Sequence, residues 1–378
     1  GSVISNVVTT GQITIPTMKR TGYPATYAAA VESCASTGGA LMPPVMGAVA
    51  FIMAEFLNVA YSTIMIAALA PAVLFYLALV LQTDAYAARN NGGNPKNLAG
   101  DQAGLAFSVL SGGTDLHAGG DADRRLCAVL RDGGADRDID DPPPQPLRPD
   151  DGEGAGGRGD QDHRQHRRHH RRHRHGVSLT GVGGAFSREL LQYAGDNIYL
   201  LLGLGALTSF LLGMGMTVTA CYIFLAIVLA PALVKGGLDP TASHLFILYW
   251  GMMSYITPPV ALAAVAASSI AGSNALATGV MAMRLGAILF ILPFLFVLHP
   301  TLILQGSFVD IVHDITTAVI AVWLLASAFE GWLYFFGRIT WQRIPLFAAA
   351  ALLFYPEGSS DIAFPVVAGL EQEAGPAG

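Results

Sequence analysis

The chain has 378 residues, of which 52% are hydrophobic and only 13% are charged, and its mean hydropathy is +0.48. This composition argues against an ordinary soluble domain and favours a membrane protein. The formal net charge of −6 says little about partners, because residues 90–176 alone hold 13 of the 21 Lys and Arg residues. The three cysteines lack the paired spacing of a disulfide framework or a zinc site.

The first group of elements, residues 1–94, centres on the stretch ESCASTGGALMPPVMGAVAFIMAE at 32–55. Glycine lets the backbone turn at Gly38-Gly39, and Pro43-Pro44 lacks two N–H donors, so a helix entering this stretch must stop. A proline also suits the first turn of a new helix. The sequence therefore predicts a helical hairpin over 27–57 with an irregular tip, followed by one bilayer crossing over 60–81.

The middle segment, residues 95–176, has neither a helical nor a strand period and ends in the tract HRQHRRHHRRHRH. One interpretation is a disordered loop. The other is a frame-shifted translation, because His and Arg codons read one nucleotide later encode mainly Ile, Thr, Val and Ala. The coding DNA decides between them, and we assign no function to this tract.

The second group, residues 177–274, repeats the pattern of the first. A shift of 215 positions places Pro43-Pro44 on Pro258-Pro259, within a hairpin predicted over 241–273. A glycine-marked break precedes each pair, at Gly1 and at Gly215 in the motif GMGMT. Matched breaks favour an internal repeat over two unrelated Pro-kinked helices.

Three further apolar stretches, 276–304, 311–336 and 345–355, predict C-terminal membrane helices within 275–355, followed by a polar tail at 356–378. The predicted fold is thus an all-α integral membrane protein, a multi-span helical transporter. It has two inverted repeats, each with a broken helix and a re-entrant hairpin.

Candidate binding groups are the oxygen atoms around the two breaks, since unwound backbone at membrane depth survives where it lines a cavity. Glu32 and Glu55 are carboxylates in apolar surroundings and so are functional candidates, unless each lies at a helix end near water. No phosphate-binding loop, H-E-x-x-H or G-x-S-x-G motif is present, so the sequence predicts no enzyme and no cofactor.

Four motifs carry a family resemblance: GSVISNVVTTGQITIPTMKRTGYP, ASTGGALMPPVMGAVAFIMAE, GMGMTVTACYI and YITPPVALAAVAASSIAGSN. They resemble the large membrane subunit of tripartite ATP-independent periplasmic (TRAP) transporters, most of all the fused permeases of the TAXI type. The resemblance covers about 1–94 and 177–360. The sequence departs from the family pattern in two ways: we expect it to begin inside the first repeat, and residues 95–176 stand where membrane helices are expected.

The resemblance implies a secondary carrier of the bacterial inner membrane that imports organic acids, with sodium as the usual coupling ion. Its implied partners are a periplasmic substrate-binding protein, a small membrane subunit or fused N-terminal region, and the lipid bilayer, with no nucleic acid. Together with the hydroxyl groups near the breaks, it gives these candidate ion and substrate residues: Asn6, Ser36, Thr37, Gly38, Gly39, Pro43, Pro44, Gly215, Thr219, Ser254, Thr257, Pro258 and Pro259.

Two alternatives stay open at this point. The chain can be an inactive, truncated or frame-shifted remnant of such a permease. It can also be an ion channel or a membrane enzyme, although catalytic motifs and a charged pore ring are missing.

Overall fold

A computed structural model of the chain describes residues 2–44, 46–90, 182–195, 197–333 and 337–353. The helices in chain order are α1 (Val3–Arg20), α2 (Ala25–Gly38), α3 (Ala48–Leu57), α4 (Tyr61–Asn90), α5 (Val182–Ala194), α6 (Ile198–Gly213), α7 (Val218–Val228), α8 (Ala230–Lys235), α9 (Pro240–Met252), α10 (Leu262–Ala271), α11 (Ala275–Leu285), α12 (Ile288–Leu298), α13 (Phe308–Glu330) and α14 (Arg343–Leu353). Short 3₁₀ helices occupy Met253–Tyr255 and Pro300–Ile303, and the strands Trp332–Leu333 and Gly337–Arg338 pair antiparallel. The predicted middle segment, 95–176, and the polar tail lie outside the described residues.

Four helical stretches in this part of the chain are long and apolar enough to cross a membrane. They are Tyr61–Asn90, Val218–Lys235, Ala275–Leu298 and Phe308–Glu330. Their apolar side chains pack with those of the shorter helices into one core cluster. The predicted all-α, multi-span architecture is therefore confirmed.

Several predicted helix ends were wrong. The helix predicted over 60–81 continues to Asn90, because Gln82 is buried and its Nε2 donates to the Leu285 carbonyl at 2.9 Å instead of facing water. The span predicted over 311–336 ends at Glu330, where Gly331 adopts a left-handed φ of 68°. A polar or apolar residue type does not by itself predict which distant residue a side chain contacts, and therefore where a helix ends.

A helical hairpin joins α6 and α7, with its tip at residues 214–217. The two helices contact each other, and both pack along α9. A Cβ placed on Gly205, in the first half of α6, would lie 3.7 Å from the side chain of Leu229, which directly follows α7. The sequence predicted a broken helix at this motif, and that prediction was wrong, because the four-residue tip turns the chain back on itself.

The segments predicted as hairpins over 27–57 and 241–273 are instead interrupted helices. In the described part of the chain, α2 and α3 do not lie side by side, and neither do α9 and α10. Rather, α2 packs along α10 while α3 packs against α9. This pairing is what two antiparallel interrupted helices produce when they cross near their breaks. A Pro-Pro pair stops a helix but does not fix the direction in which the chain continues.

The packing of the first half recurs in the second. Helix α1 packs against α2 and α10, and α7 packs correspondingly against α9 and α3. The same shift of 215 positions moves Val3, the start of α1, to Val218, the start of α7. It also moves Ala25, the start of α2, to Pro240, the start of α9. Two copies of one structural unit account for this pattern, and their inversion across the bilayer stays a prediction.

Candidate functional site

The break between α2 and α3 exposes backbone carbonyl groups by simple chemistry. Pro43 and Pro44 have no N–H, so the carbonyls of Gly39 and Ala40, four residues earlier, cannot accept the usual helical hydrogen bond. The carbonyl of Pro44 accepts a 2.5 Å hydrogen bond from the hydroxyl of Tyr61, which holds the far side of the break against α4. Gly39 and Ala40 therefore keep carbonyl oxygens that other partners can use.

The break between α9 and α10 has the same chemistry. Pro258 and Pro259 have no N–H, so the carbonyls of Ser254 and Tyr255 lack their usual helical hydrogen-bond donors. The side chain of Thr257, the residue before Pro258, is 8% exposed, and its Oγ1 has no hydrogen-bond partner among the described residues. A buried hydroxyl without a partner is uncommon and calls for an explanation, such as an ion or a water molecule.

The tip of the α6–α7 hairpin contacts this second break directly. Ser254 Oγ donates to the Gly213 carbonyl at 2.9 Å, and the Tyr255 hydroxyl donates to the Met216 carbonyl at 3.4 Å. Gly215, between them, has a left-handed φ of 85°. The predicted site residues Gly215, Ser254 and Thr257 thus belong to two segments that touch, whereas Thr219 lies partly buried in the first turn of α7.

In the first half, a polar network links α1 to α2. Asn6 Nδ2 donates to Ser36 Oγ at 3.2 Å, and Ser36 Oγ donates to Glu32 Oε1 at 3.0 Å. Thr10 and Thr14 also donate to the carboxylate of Glu32. The predicted residues Asn6 and Ser36 are therefore in contact and share a buried carboxylate.

The structure shows that the two carboxylates, Glu32 and Glu55, have different surroundings, which the sequence left undecided. Glu32 is 4% exposed and lies inside α2, so the interpretation that it sits at a helix end near water was wrong. Glu55 is exposed in the last turn of α3, where that interpretation holds. Sequence reasoning missed Thr10 and Thr14, although their i, i+4 spacing after Asn6 places all three on one helix face.

The predicted turn at Gly38-Gly39 needs correction, whereas the assignment of Gly38, Gly39 and Thr37 to the ion and substrate site stays a prediction. Gly38 is the last residue of α2, and Gly39, its C-cap, has helical angles, φ −60° and ψ −24°, so neither residue reverses the chain. Positive φ angles come later, at Met46 with 25° and at Gly47 with 69°. The Thr37 hydroxyl donates to the Ser33 carbonyl at 2.8 Å, inside its own helix. A Cβ on Gly38 would instead collide with the ring of Phe75, so Gly38 is required for packing.

Gly38→Ala is accordingly expected to destabilise the protein by roughly 1–3 kcal/mol through overpacking against Phe75, despite the better helix propensity of alanine. Thermal unfolding of the purified protein in detergent measures this. Gly184→Ala, in α5, is the control, because a Cβ there would meet only Arg188 at an ordinary 3.6 Å. Equal stability of the two variants would contradict the packing role of Gly38.

The two breaks are linked through α11 and the residue that follows it. Cys34 Sγ, in α2, donates to the Ala282 carbonyl at 3.2 Å. A Cβ on Gly286 would lie 2.6 Å from Ile256 Cδ1, in the second break, and 3.6 Å from Cys34 Sγ. The second break and Cys34 of α2 therefore flank one small residue, Gly286. The predicted approach of the two breaks is supported, whereas its depth in the membrane stays a prediction.

Comparison with known proteins decides the family. The family model of the tripartite ATP-independent periplasmic transporter DctM component matches residues 1–108 and 173–311, which is more than half of the chain. The chain belongs to this family. The predicted large TRAP permease subunit is thereby confirmed, while the TAXI type and the truncation stay predictions. No curated protein gave a match.

Membership in the DctM family has direct consequences. The family consists of membrane transport components, so the chain is a multi-pass transporter subunit and not a member of an enzyme family. Members of TRAP systems work in general with a periplasmic binding protein and a small membrane subunit. The family match skips residues 109–172, which lie inside the segment that the sequence marked as unlike a membrane protein.

Proposed function

We propose that this DctM-family chain is the permease subunit of a sodium-coupled secondary transporter that imports organic acids delivered by a periplasmic binding protein. The observation that carries the proposal is the buried Thr257 hydroxyl without a partner, next to carbonyls that Pro258 and Pro259 leave without helical donors. Sodium is a hard cation that binds oxygen ligands, and unwound helices supply them in many carriers.

The surroundings of Thr257 suit an ion site. Ser254 and Tyr255 tie the break to the hairpin tip through hydrogen bonds to Gly213 and Met216, which orders the local backbone. Such preorganisation lowers the entropic cost of collecting several weak oxygen ligands around one ion. By repeat equivalence, the Gly39 and Ala40 carbonyls of the first break form the second half of the site.

The architecture supports a transport mechanism by alternating access. Two interrupted helices cross near their breaks, and a repeat-based carrier exposes such a midplane site alternately to each side by moving one bundle against another. A bound sodium ion offsets the negative charge of an organic acid at that site. We place the chain in the bacterial inner membrane, together with a small membrane subunit.

Uptake into proteoliposomes tests this function. The purified chain, its small subunit and its binding protein are reconstituted, and a mixture of labelled mono- and dicarboxylates is offered. We expect accumulation that requires both the binding protein and an inward sodium gradient. Accumulation that is equal with potassium replacing sodium would contradict sodium coupling. No accumulation under any gradient would favour the inactive remnant.

A further inference from the structure

We propose that the ion pair between Arg284 and Glu330 positions the second break, because it fixes the helix α11 that packs against Pro258 and Ile256. Both members of the pair act through α11, and neither supplies an ion ligand. The proposal rests on the proposed function only for its effect on sodium binding. Its support is the set of contacts that joins α13 to α11 and α11 to the second break.

Helix α11 contacts the second break closely. A Cβ on Gly279 would lie 3.1 Å from Pro258 Cγ and 3.2 Å from Ala261 Cβ. A Cβ on Gly286, which directly follows α11, would lie 2.6 Å from Ile256 Cδ1. The two glycines are seven residues apart, about two helical turns, so the contact extends along this part of the helix. Interiors packed this closely transmit displacements, so a movement of α11 must also move the break.

The end of α11 is joined to α13 through one long side chain. Arg284 Nη2 lies 2.7 Å from Glu330 Oε1 and donates to the Phe329 carbonyl at 3.0 Å. Among the described residues, α11 and α13 do not pack side by side, so their connection depends on these polar contacts. From α4, Gln82 Nε2 donates to the Leu285 carbonyl at 2.9 Å. The end of α11 is thus held by polar groups from two other helices.

Glu330 is a fixed anchor at the end of α13. Its side chain is fully buried, whereas the side chain of Arg284 is 31% exposed. Arg89, near the end of α4, donates its Nη1 to the main-chain carbonyl of Glu330 at 2.6 Å. Helix α13 also packs along both α4 and α14. Arg284 is therefore the partner that can move, and Glu330 is the partner that holds it.

Loss of one partner releases α11. A charge that loses its buried partner is strongly unfavourable where it stands, so it turns toward water when it can. Arg284 is partly exposed, and without the charge of Glu330 its guanidinium group can turn outward. The end of α11 then loses its connection to α13, and the support that α11 gives to Pro258 and Ile256 becomes looser.

The repeat supplies an internal comparison. The shift of 215 positions moves Arg284 to Leu69 in α4, whose side chain is 44% exposed. The first half therefore has an outward-facing apolar residue where the second half has an ion pair. Because the equivalent helix forms without such a pair, the repeat itself does not require it. The pair occurs in the half that contains Thr257, which favours a role in arranging that break.

Binding of radioactive sodium to the full chain in lipid nanodiscs tests the proposal. We expect Glu330→Gln and Arg284→Gln each to weaken sodium binding about tenfold, the lower range for groups that orient metal ligands. Arg284→Lys keeps the charge and should restore most of the affinity. The double variant with both glutamines should bind no more weakly than either single variant, because the two residues act as one unit.

Arg343→Gln is the matched control. The guanidinium group of Arg343 packs against Gly331, where a Cβ would collide with it, and it acts electrostatically on Glu330. Its Nε donates to the Ile339 carbonyl at 3.4 Å, which lies after α13 and not in α11. The control thus removes an arginine from the same neighbourhood without releasing α11, and it should bind sodium like the unmodified chain.

Hydrogen exchange measured without sodium tests the positioning role independently of any ion. We expect Glu330→Gln to accelerate exchange of the backbone amides in residues 253–262, because less tightly packed segments open more often. Arg343→Gln should leave the exchange of these amides unchanged. Faster exchange that is confined to the neighbours of residues 284 and 330 would overturn the proposal, because the break would then not depend on the pair.

The sodium measurements give equally clear outcomes. Equal affinity in Glu330→Gln and the unmodified chain would overturn the proposal, and so would an equal loss in Arg343→Gln. If Glu330→Gln does not fold, equal affinities of Arg284→Gln and Arg284→Lys overturn it. If the unmodified chain binds no sodium while Glu330→Gln still accelerates exchange at the break, the positioning role is supported and only the proposed function is contradicted.

Discussion

Replacing Gly213 by alanine is expected to lower the stability of the protein by roughly 2–3 kcal/mol, the upper range of overpacking in a close-packed interior. A Cβ on Gly213 would collide with the carbonyl oxygen of Gly251 and lie 3.1 Å from its Cα. Backbone atoms cannot rotate away as a side chain can. The thermal unfolding midpoint in detergent should therefore fall by several degrees, together with loss of the Ser254–Gly213 hydrogen bond.

Gly203→Ala is the matched control for this prediction. Gly203 lies in the same helix, and a Cβ there would meet no atom within 4 Å. Alanine should raise stability slightly at this position, because it loses less backbone entropy in a helix than glycine, by about 1 kcal/mol. If both variants unfold at the same temperature, α6 and α9 are not in the close contact described.

Replacing both Pro258 and Pro259 by alanine is expected to reduce the apparent sodium affinity of uptake at least about tenfold, which corresponds to about 1.4 kcal/mol. Each alanine brings an N–H that can donate to the carbonyl of Ser254 or Tyr255. The break can then close as helix, and the carbonyls lose their capacity for an ion. The dependence of initial uptake rate on sodium concentration measures the effect.

Pro240→Ala is the control for this double variant. Pro240 is the first residue of α9, where a missing N–H is already without a helical partner, so its replacement should leave the sodium dependence unchanged. An unchanged sodium dependence in the double variant would remove the second break from the ion site. A similar loss in both variants would indicate general disturbance of α9.

The sequence predicted the membrane class, the family and the position of the breaks well, because these depend on local composition and on motifs. The prolines at 43–44 and 258–259 lack N–H groups in any fold, and the offset of 215 residues reappears in the starts of α1 and α7. Local chemistry of this kind can be predicted from the sequence alone.

The direction in which the chain continues after each break could not be predicted from the sequence. The residue types of Gly38 and Gly39 predicted a turn, yet Gly38 ends α2 and Gly39 keeps helical angles, and a side chain at Gly38 would collide with Phe75. Conversely, the tip at GMGMT is a true reversal, since Leu229 returns to Gly205. These features depend on contacts between distant residues. The partners of Glu32 were missed for the same reason, because threonines on α1 meet it only through tertiary packing.

Direct binding of radioactive sodium to the purified chain tests the central claim that the second break forms a cation site. We expect saturable binding that Thr257→Val weakens about tenfold, since valine removes one oxygen ligand at nearly constant volume. Thr208→Val, whose hydroxyl donates to the Leu204 carbonyl within α6, should bind like the unmodified chain. Saturable binding with equal affinity in all three proteins, or no saturable binding in any, would contradict the claim.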